Sequence, residues 1–209
     1  MSLLLKILVA DDHEIFRMGL RTYFDSRPDL QLVGEARSVA EALDHIRASP
    51  PDILLLDYHL PDGTGLDVLS ALRQERKLSF AVIMLSGTVS PQILADSLAA
   101  GVSALVAKRG SIDDLSNAID LQIRQREFIS PEFQAILRES EILGTLTRRE
   151  NEVLLLLLTG LTLQEVADQL SVSFKTAETH KTRILQKLDV HSLQGLLARA
   201  RALGLLGEL

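Results

Sequence analysis

Five short apolar runs dominate the first 125 residues, and stretches with helical periodicity separate them. The runs cover residues 4–10, 30–34, 53–56, 81–85 and 104–107. Apolar and polar residues do not alternate within them, which is typical of strands buried on both faces of a parallel sheet. Successive strand–helix units with short connections predict an α/β domain with a doubly wound, five-stranded parallel sheet.

Beyond about residue 124 the strand pattern ends, and apolar residues recur at helical spacing. Four helical segments are predicted, at 148–159, 163–170, 174–188 and 192–203. In the connecting stretch, Ser130 followed by Pro131 is typical of a helix start. We therefore predict a first domain at 1–124, a partly helical linker at 125–143 and an all-α, four-helix domain at 144–209.

Composition excludes several classes of protein. The chain has no cysteine, so neither disulfides nor thiolate metal sites are available. Its longest apolar run, 153–158, is far shorter than the roughly 20 residues that span a bilayer. No signal-peptide pattern is present at the start. We expect a soluble protein of the cytoplasm, with no membrane contact.

The charge is unevenly distributed along the chain. The net charge is −6, and residues 1–120 alone hold 11 basic against 17 acidic residues. Residues 144–209 hold 8 basic against 7 acidic residues, and four of the basic ones lie between 175 and 187. A short basic helix can contact phosphates without making the whole chain basic. A solvated helix face is the alternative interpretation.

Polar residues follow the predicted strands at their carboxyl ends. They are Asp11 and Asp12, Asp57, Ser86, and Lys108. Ligands of open α/β sheets bind outside this edge, so these side chains are expected to meet in one crevice. Carboxylates that share a crevice repel each other unless a cation joins them, and such a set of oxygen ligands suits Mg2+.

Asp57 is the best candidate nucleophile, because it ends the most apolar of the predicted strands. A carboxylate beside a metal can accept a phosphoryl group, while Lys108 and Ser86 contact its oxygens. Any one of these residues alone would more simply be a helix cap; Asp12, for example, could cap the helix that follows it. Five suitable residues at one edge favour the site.

The first domain resembles the receiver domains of two-component systems over residues 4–124. The motifs are LVADDH at 8–13, LLDYHLPDGTG at 55–65, LSG at 85–87, and AG at 100–101 leading to Lys108. The resemblance implies a flavodoxin-like fold and phosphorylation of Asp57 by a sensor histidine kinase. It also implies Mg2+ held by Asp12, Asp57 and the backbone carbonyl of His59, with Asp11 acting through water. Ser86 and Lys108 would contact the phosphoryl group.

Two positions depart from that family. Many receivers carry Tyr or Phe three residues before the lysine, where the ring rotates as part of the switch; here the residue is Leu105. Many also carry a proline with a cis bond directly after the lysine; here the residue is Arg109. We expect phosphorylation to survive both changes, whereas an aromatic switch at position 105 is not expected.

In the second domain, residues 160–173 indicate a short helix, a tight turn and the start of another helix with Ser173 as its N-cap. The inward stripe of that helix contains Ala177, Ile184, Leu185 and Leu188. Residues near its start would enter the major groove of DNA, as in helix-turn-helix modules. A small helical unit for protein binding or dimerisation fits the composition equally well.

This domain resembles the LuxR-type helix-turn-helix over residues 144–206. The motifs are LTRRENEVL at 146–154, GLT at 160–162, EVA at 165–167, LSVS at 170–173, KTAETH at 175–180 and ILQKL at 184–188. Together with a receiver, this is the NarL/FixJ class of response regulators. The resemblance implies binding to double-stranded promoter DNA through Lys175, Thr176, Glu178, Thr179, Lys181 and Thr182.

Glu178 stands where several relatives carry Lys or Asn, so a helical scaffold that has lost DNA binding stays open as an alternative. The last helix has apolar residues at helical spacing, namely Leu193, Leu196, Leu197, Ala200 and Leu203. Burial in their own domain is the simplest interpretation. In the family this helix pairs two DNA-binding domains, which implies a homodimer through Leu193, Leu196, Leu197 and Ala200.

A small metal-dependent phosphotransferase or phosphatase would use the same pocket for turnover. The chain has no second, lid-like domain, and its helical part has no cluster of titratable residues. We therefore expect a phosphorylation-controlled transcription regulator and not a turnover enzyme.

Overall fold

The computed structural model describes residues 4–75 and 79–202. The chain divides into two compact units, Met1–Gln134 and Ala135–Leu209. The strands are β1 (Leu5–Ala10), β2 (Leu30–Ala36), β3 (Ile53–Asp57), β4 (His59–Leu60), β5 (Gly63–Thr64), β6 (Ala81–Ser86), β7 (Ala104–Ala107) and β8 (Phe128–Ile129). Within the described residues no helix combines the length and apolar character that a bilayer span requires.

The first unit contains helices α1 (Glu14–Asp25), α2 (Val39–Ala48), α3 (Gly65–Gln74), α4 (Pro91–Ala99) and α5 (Ile112–Ile123). Its main sheet has the order β2-β1-β3-β6-β7-β8, and all neighbouring strands are parallel. The predicted doubly wound α/β architecture is therefore confirmed. Strands β4 and β5 form a separate antiparallel hairpin.

The sheet contains the five predicted strands and one more. The additional strand β8 is only two residues long, and it pairs with Ala104 and Leu105 of β7. A two-residue strand carries no periodicity of its own, and its pairing alone defines it. The sheet thus continues into the segment 125–143, for which a partly helical linker is predicted.

Both faces of the sheet are covered. Alternate strand residues, including Ile7, Val9 and Leu55, pack with Leu20 of α1 and Leu115 of α5. The intervening residues face the other side, where α3 approaches very closely. A Cβ on Gly65 would lie 2.6 Å from the carbonyl oxygen of Asp57 and 2.9 Å from Leu56 Cγ. Only glycine lets α3 begin this close to the end of β3.

Helix α6 (Pro131–Gly144) follows β8 directly. The residue before it, Ser130, is fully buried, and its Oγ accepts a hydrogen bond from the backbone N–H of Ala107 at 3.2 Å. The second unit then contains α7 (Arg148–Leu158), α8 (Leu163–Gln169), α9 (Phe174–Lys187) and α10 (Leu193–Ala202).

The four helices that follow α6 agree with the predicted all-α domain. Their core contains Leu146, Val153, Leu154, Leu157, Leu158, Val166, Ile184, Leu188, Leu196 and Ala200. Leu203, which the sequence assigns to the stripe of the last helix, lies outside the described residues.

Candidate functional site: an acidic pocket and a helix-turn-helix

Three carboxylates meet at the carboxyl ends of β1 and β3, the adjacent strands from which the chain winds in opposite directions. Asp11 and Asp12 follow β1, and Asp57 ends β3. The side chains of Asp11 and Asp57 are 0% and 3% exposed, whereas that of Asp12 is 38% exposed. Parallel strands bring their carboxyl ends to one edge, so the predicted convergence of these residues is observed.

The capping alternative for Asp12 does not describe this structure. Helix α1 is preceded by His13, whose side chain makes no capping hydrogen bond. The Oδ1 atom of Asp11 instead accepts a hydrogen bond from the backbone N–H of His13 at 2.8 Å.

Lys108 reaches the pocket from the end of β7. Its Nζ lies 2.5 Å from Asp57 Oδ2 and 2.7 Å from Asp11 Oδ2, so one ammonium bridges the two buried carboxylates. The ammonium also lies 5.0 Å from the ring centroid of Phe16, within cation–π distance. The backbone N–H of Lys108 donates to the carbonyl of Ser86 at 2.8 Å.

Ser86 lies at the end of β6 and is completely buried. Its hydroxyl donates to the carbonyl of Thr88 at 2.7 Å and accepts from the backbone N–H of Thr88 at 3.2 Å. The side chain therefore lies at the predicted edge of the sheet, engaged with the loop that follows.

Burial raises the pKa of the Asp57 carboxyl above its ordinary value, since the charged form loses solvation. The hydrogen bond and charge of Lys108 oppose this rise, and the neighbouring Asp11 adds to it. Any additional cation that enters the pocket would stabilise the charged form of Asp57, because the cation replaces part of the lost solvation.

The donor set fits a divalent cation. Asp11, Asp12, His13 and Asp57 each offer one ligand atom, and these atoms all lie within 4.8 Å of one another. His13 is not among the predicted site residues, although it follows directly after the two aspartates. His59, predicted to act through its backbone carbonyl, donates its N–H to Asp57 Oδ1 at 3.2 Å.

Leu105 is 1% exposed, and it pairs in the sheet with Met84 on one side and Ile129 on the other. No aromatic ring occupies that position. The aromatic residue nearest the site in sequence is Tyr58, which is 8% exposed and donates its hydroxyl to Asp96 Oδ2 of α4 at 3.0 Å.

An open cleft of about 540 Å³ lies over the pocket. Its lining includes His13, Phe16, Asp57, His59, Thr88 and Lys108. The Asp57 carboxylate, although only 3% exposed, thus lines a cleft that is open to solvent.

In the second unit, α8 and α9 form a helix-turn-helix whose starts are capped by side chains. Thr162 and Glu165 form a capping box at α8. Ser173 is the predicted N-cap of α9, and its Oγ accepts from the backbone N–H of Thr176 at 3.1 Å. Between the helices Ser171 adopts a left-handed conformation, with φ of 54°. These features set the tight turn.

Helix α9 has one buried and one exposed face. Ala177, Ile184 and Leu188 are buried, and Leu185 is half-buried, as the predicted stripe requires. Five of the predicted DNA-contact residues are exposed and Lys181 is half-buried; the exposed ones are Lys175, Thr176, Glu178, Thr179 and Thr182.

A shallow depression of about 310 Å³ on α9 adds His180 and Arg183 to this surface. Arg183 is exposed and belongs to the basic cluster seen in the sequence. Lys187, from the same cluster, is one-third exposed and pairs with groups of its own domain. Its Nζ lies 2.6 Å from Oε2 of Glu150, whose side chain is 3% exposed, and donates to the carbonyl of Thr145 at 3.0 Å.

The apolar residues of α10 do not share one environment. Leu196 and Ala200 are 1% and 2% exposed and belong to the core of their own unit. Burial in their own domain, the simplest interpretation of the sequence, is therefore observed for these two residues, and their predicted role in dimerisation stays a prediction. Leu193 is 39% exposed, and Leu197 is partly buried against the core.

Two family models match the chain. The response regulator receiver domain matches residues 7–120, and the model of bacterial regulatory proteins, luxR family, matches residues 144–200. The response regulator protein VraR of Staphylococcus aureus is 31% identical over 191 residues, which cover 89% of this chain and 91% of VraR.

Solved structures of RcsB are similar over nearly the whole chain. RcsB of Salmonella typhimurium matches with a TM-score of 0.67 at 24% identity, covering 96% of this chain and 99% of RcsB, which supports the fold. A structure of two RcsB dimers bound to two parallel DNAs matches with a TM-score of 0.61 at 25% identity, covering 95% and 98%. The chain belongs to the response regulators, and it joins a receiver domain to a LuxR-type DNA-binding domain.

Proposed function

We propose that the protein regulates transcription under the control of phosphorylation at Asp57 by a sensor histidine kinase. Residues 1–124 would receive the signal and residues 144–209 would bind promoter DNA. The observation that carries this proposal is the pocket at the ends of β1, β3 and β7. There a buried Asp57 lies 2.5 Å from Lys108 Nζ and beside two further carboxylates.

The phosphoryl transfer needs positioning and charge compensation more than covalent chemistry from other side chains. An Asp57 oxygen forms a bond to phosphorus while the bond from phosphorus to the kinase histidine nitrogen breaks, and that nitrogen leaves with the electron pair. Lys108 offsets part of the negative charge that gathers in the pocket. The Ser86 hydroxyl, which donates a hydrogen bond to the Thr88 carbonyl, would donate to a phosphoryl oxygen instead.

Mg2+ is the cation that we propose for this step. Asp12, Asp57 and the backbone carbonyl of His59 would hold it, with Asp11 acting through water. The ion would offset negative charge on the phosphoryl group when bound. The ammonium of Lys108 already pairs with both Asp11 and Asp57.

The exposed face of α9 supports binding to double-stranded DNA. Lys175 in the first turn and Lys181 in the middle of α9 suit phosphate contacts, because both carry positive charge. Thr176, Glu178, Thr179 and Thr182 suit contacts with base edges, and a glutamate can accept a hydrogen bond from cytosine. The DNA complex of RcsB, a protein of similar architecture, supports the same role here.

Phosphorylation would act by shifting an equilibrium of the receiver toward a form that dimerises and binds DNA. The RcsB dimers on DNA support a homodimer. Of the four α10 residues predicted at the dimer contact, Leu193 is exposed and Leu197 is partly exposed, so these two are available for it. A cytoplasmic location follows from the two proposed partners, the kinase's phosphohistidine and promoter DNA.

The test has two arms. Acetyl phosphate should label the wild-type chain, and Asp57→Asn should take no label; normal labelling of that variant would remove Asp57 from the role. Selection from random duplexes should then enrich one motif, more strongly when a phosphate mimic occupies the receiver. Continuous release of phosphate from small substrates without duplex binding would favour the phosphotransferase alternative.

A further inference from the structure

His13 brings a nitrogen atom into the carboxylate pocket. Its Nδ1 lies 2.7 Å from Asp12 Oδ1, 3.2 Å from Asp11 Oδ1 and 3.7 Å from Asp57 Oδ2. The ring nitrogen thus faces all three carboxylates from the start of α1. A cation that these carboxylates hold would meet a mixed set of oxygen and nitrogen ligands.

The position of the ring suits a ligand. Nδ1 lies within hydrogen-bonding distance of Asp12 and Asp11, so in this geometry it directs a hydrogen at their oxygens, and a bound cation would take the place of that hydrogen. The His13 side chain is 66% exposed, so the outer nitrogen Nε2 can then carry the remaining ring hydrogen in solvent. Lys108, in contrast, has no lone pair as an ammonium, and it approaches Asp11 and Asp57 through their Oδ2 atoms. His13 meets Asp11 through the other oxygen, Oδ1.

The charge of the pocket calls for a divalent cation. Asp11, Asp12 and Asp57 contribute three negative charges, and Lys108 compensates one of them. A neutral imidazole adds a ligand without adding charge, which leaves two negative charges for the metal. A protonated imidazole would instead form an ion pair with Asp12 and would repel the metal.

We propose that His13 is a metal ligand and that it shifts this site toward divalent first-row transition-metal ions over Mg2+. The inference rests on the proposed receiver function, whose metal site it refines. Mg2+ prefers oxygen ligands and keeps several waters, so an imidazole contributes little to its binding. Transition-metal ions gain affinity from nitrogen ligands, in the order Mn2+, Fe2+, Co2+, Ni2+.

The experiment compares the full-length wild type, His13→Phe and His45→Phe with Mg2+, Mn2+ and Ni2+ as probes. Phenylalanine keeps a ring of similar size and removes the nitrogen. His45 is exposed on α2 of the same unit and is not among the four clustered donors, which makes His45→Phe a matched control. Calorimetry gives the affinities, and electron spin echo spectroscopy of bound Mn2+ detects coupling to a nitrogen nucleus.

We expect nitrogen coupling in the wild type and in His45→Phe, and none in His13→Phe. Loss of the ligand should weaken Ni2+ binding by about tenfold or more, Mn2+ binding less, and Mg2+ binding hardly at all. Absence of the coupling from the wild type, or equal losses for Ni2+ and Mg2+, would overturn the inference.

Phosphorylation by acetyl phosphate in Mg2+ separates this inference from the proposed function. If Asp57 is labelled while bound Mn2+ shows no nitrogen coupling, the role of His13 is wrong and the receiver function stands. If nitrogen coupling is present and Asp57 takes no label, the metal site stands and the proposed phosphorylation fails.

Discussion

The buried guanidinium of Arg17 donates a hydrogen bond from Nη1 to the backbone carbonyl of Asp11. Arg17 is 1% exposed, and its Nε also donates to Glu35 Oε2 on β2 at 3.0 Å. The side chain therefore ties the backbone that carries Asp11 to a neighbouring strand. Arg17 does not itself face the pocket, but it holds in place the backbone of Asp11, which does.

Arg17→Met should destabilise the receiver by about 3 kcal/mol, because it leaves the buried carbonyl of Asp11 without its donor and removes one of the two guanidinium groups that pair with Glu35. Urea unfolding followed by circular dichroism measures the loss. Arg21→Met is the matched control, since Arg21 pairs with the same Glu35 but is 40% exposed. A loss as large for Arg21→Met would mean that the Glu35 pair matters and the Asp11 carbonyl does not.

A divalent cation should stabilise the receiver, because it binds the folded pocket and relieves the repulsion among its carboxylates. At about 100 times its Kd, Mg2+ should add about 2.7 kcal/mol to the free energy of unfolding. Thermal melts with and without Mg2+, at matched ionic strength, give the shift. Asp12→Asn should reduce the Mg2+-induced shift. If Asp12→Asn and Asp57→Asn both show the shift of the wild type, the cation binds elsewhere.

The stability of the helical domain should fall at acid pH through Glu150. Burial raises the pKa of this carboxyl, but the ammonium of Lys187 and the N–H and hydroxyl of Thr147 outweigh it, so the pKa is lowered from 4.5 to about 2. A pKa that is lower in the folded state gives stability that is present above pH 4.5 and is lost as the pH falls toward 2.

Glu150→Gln should therefore lower the Tm of the helical domain near neutral pH and flatten its decline in that acid range. Thermal melts at a series of pH values measure both effects. Glu152→Gln serves as the control, because Glu152 pairs with Arg148 and Arg149 at the surface. An unchanged acid decline in Glu150→Gln would assign the loss to other groups.

Lys181→Ala should weaken DNA binding at every sequence, because a phosphate contact carries no base specificity. If Lys181 neutralises one phosphate, the slope of log affinity against log salt concentration should become shallower by about 1. Arg148→Ala removes the same charge from α7, where the side chain is 95% exposed, and should leave the slope unchanged. Equal slopes for wild type and Lys181→Ala would exclude the contact.

Leu193→Glu should weaken dimerisation of the phosphorylated protein and leave the fold of the domain intact, because Leu193 is exposed on α10. Sedimentation velocity over a range of concentrations measures the association. Its counterpart Leu196→Glu, at a core position, should instead unfold the domain. A wild-type dimer constant for Leu193→Glu would move the proposed interface to another surface.

The local patterns predict the elements that have a clear burial pattern well. The sequence predicts a strand at 104–107, which is observed as Ala104–Ala107, and a helix at 174–188, which is observed as Phe174–Lys187. Such elements repeat their burial pattern over several residues, which a sequence displays directly. Strand β8 and the split environment of α10 have no such signal, because each depends on what lies next to it in space.

The amino-acid sequence by itself determined that Asp11, Asp57 and Lys108 meet at one edge, because the carboxyl ends of parallel strands share that edge whatever their side chains do. Only the tertiary structure decided how the charges are partnered. It set Lys108 between two aspartates, Lys187 against Glu150, and the His13 nitrogen toward three carboxylates. Side-chain rotamers and packing between distant segments determine these partners, and the spacing of residues along the chain predicts neither of them.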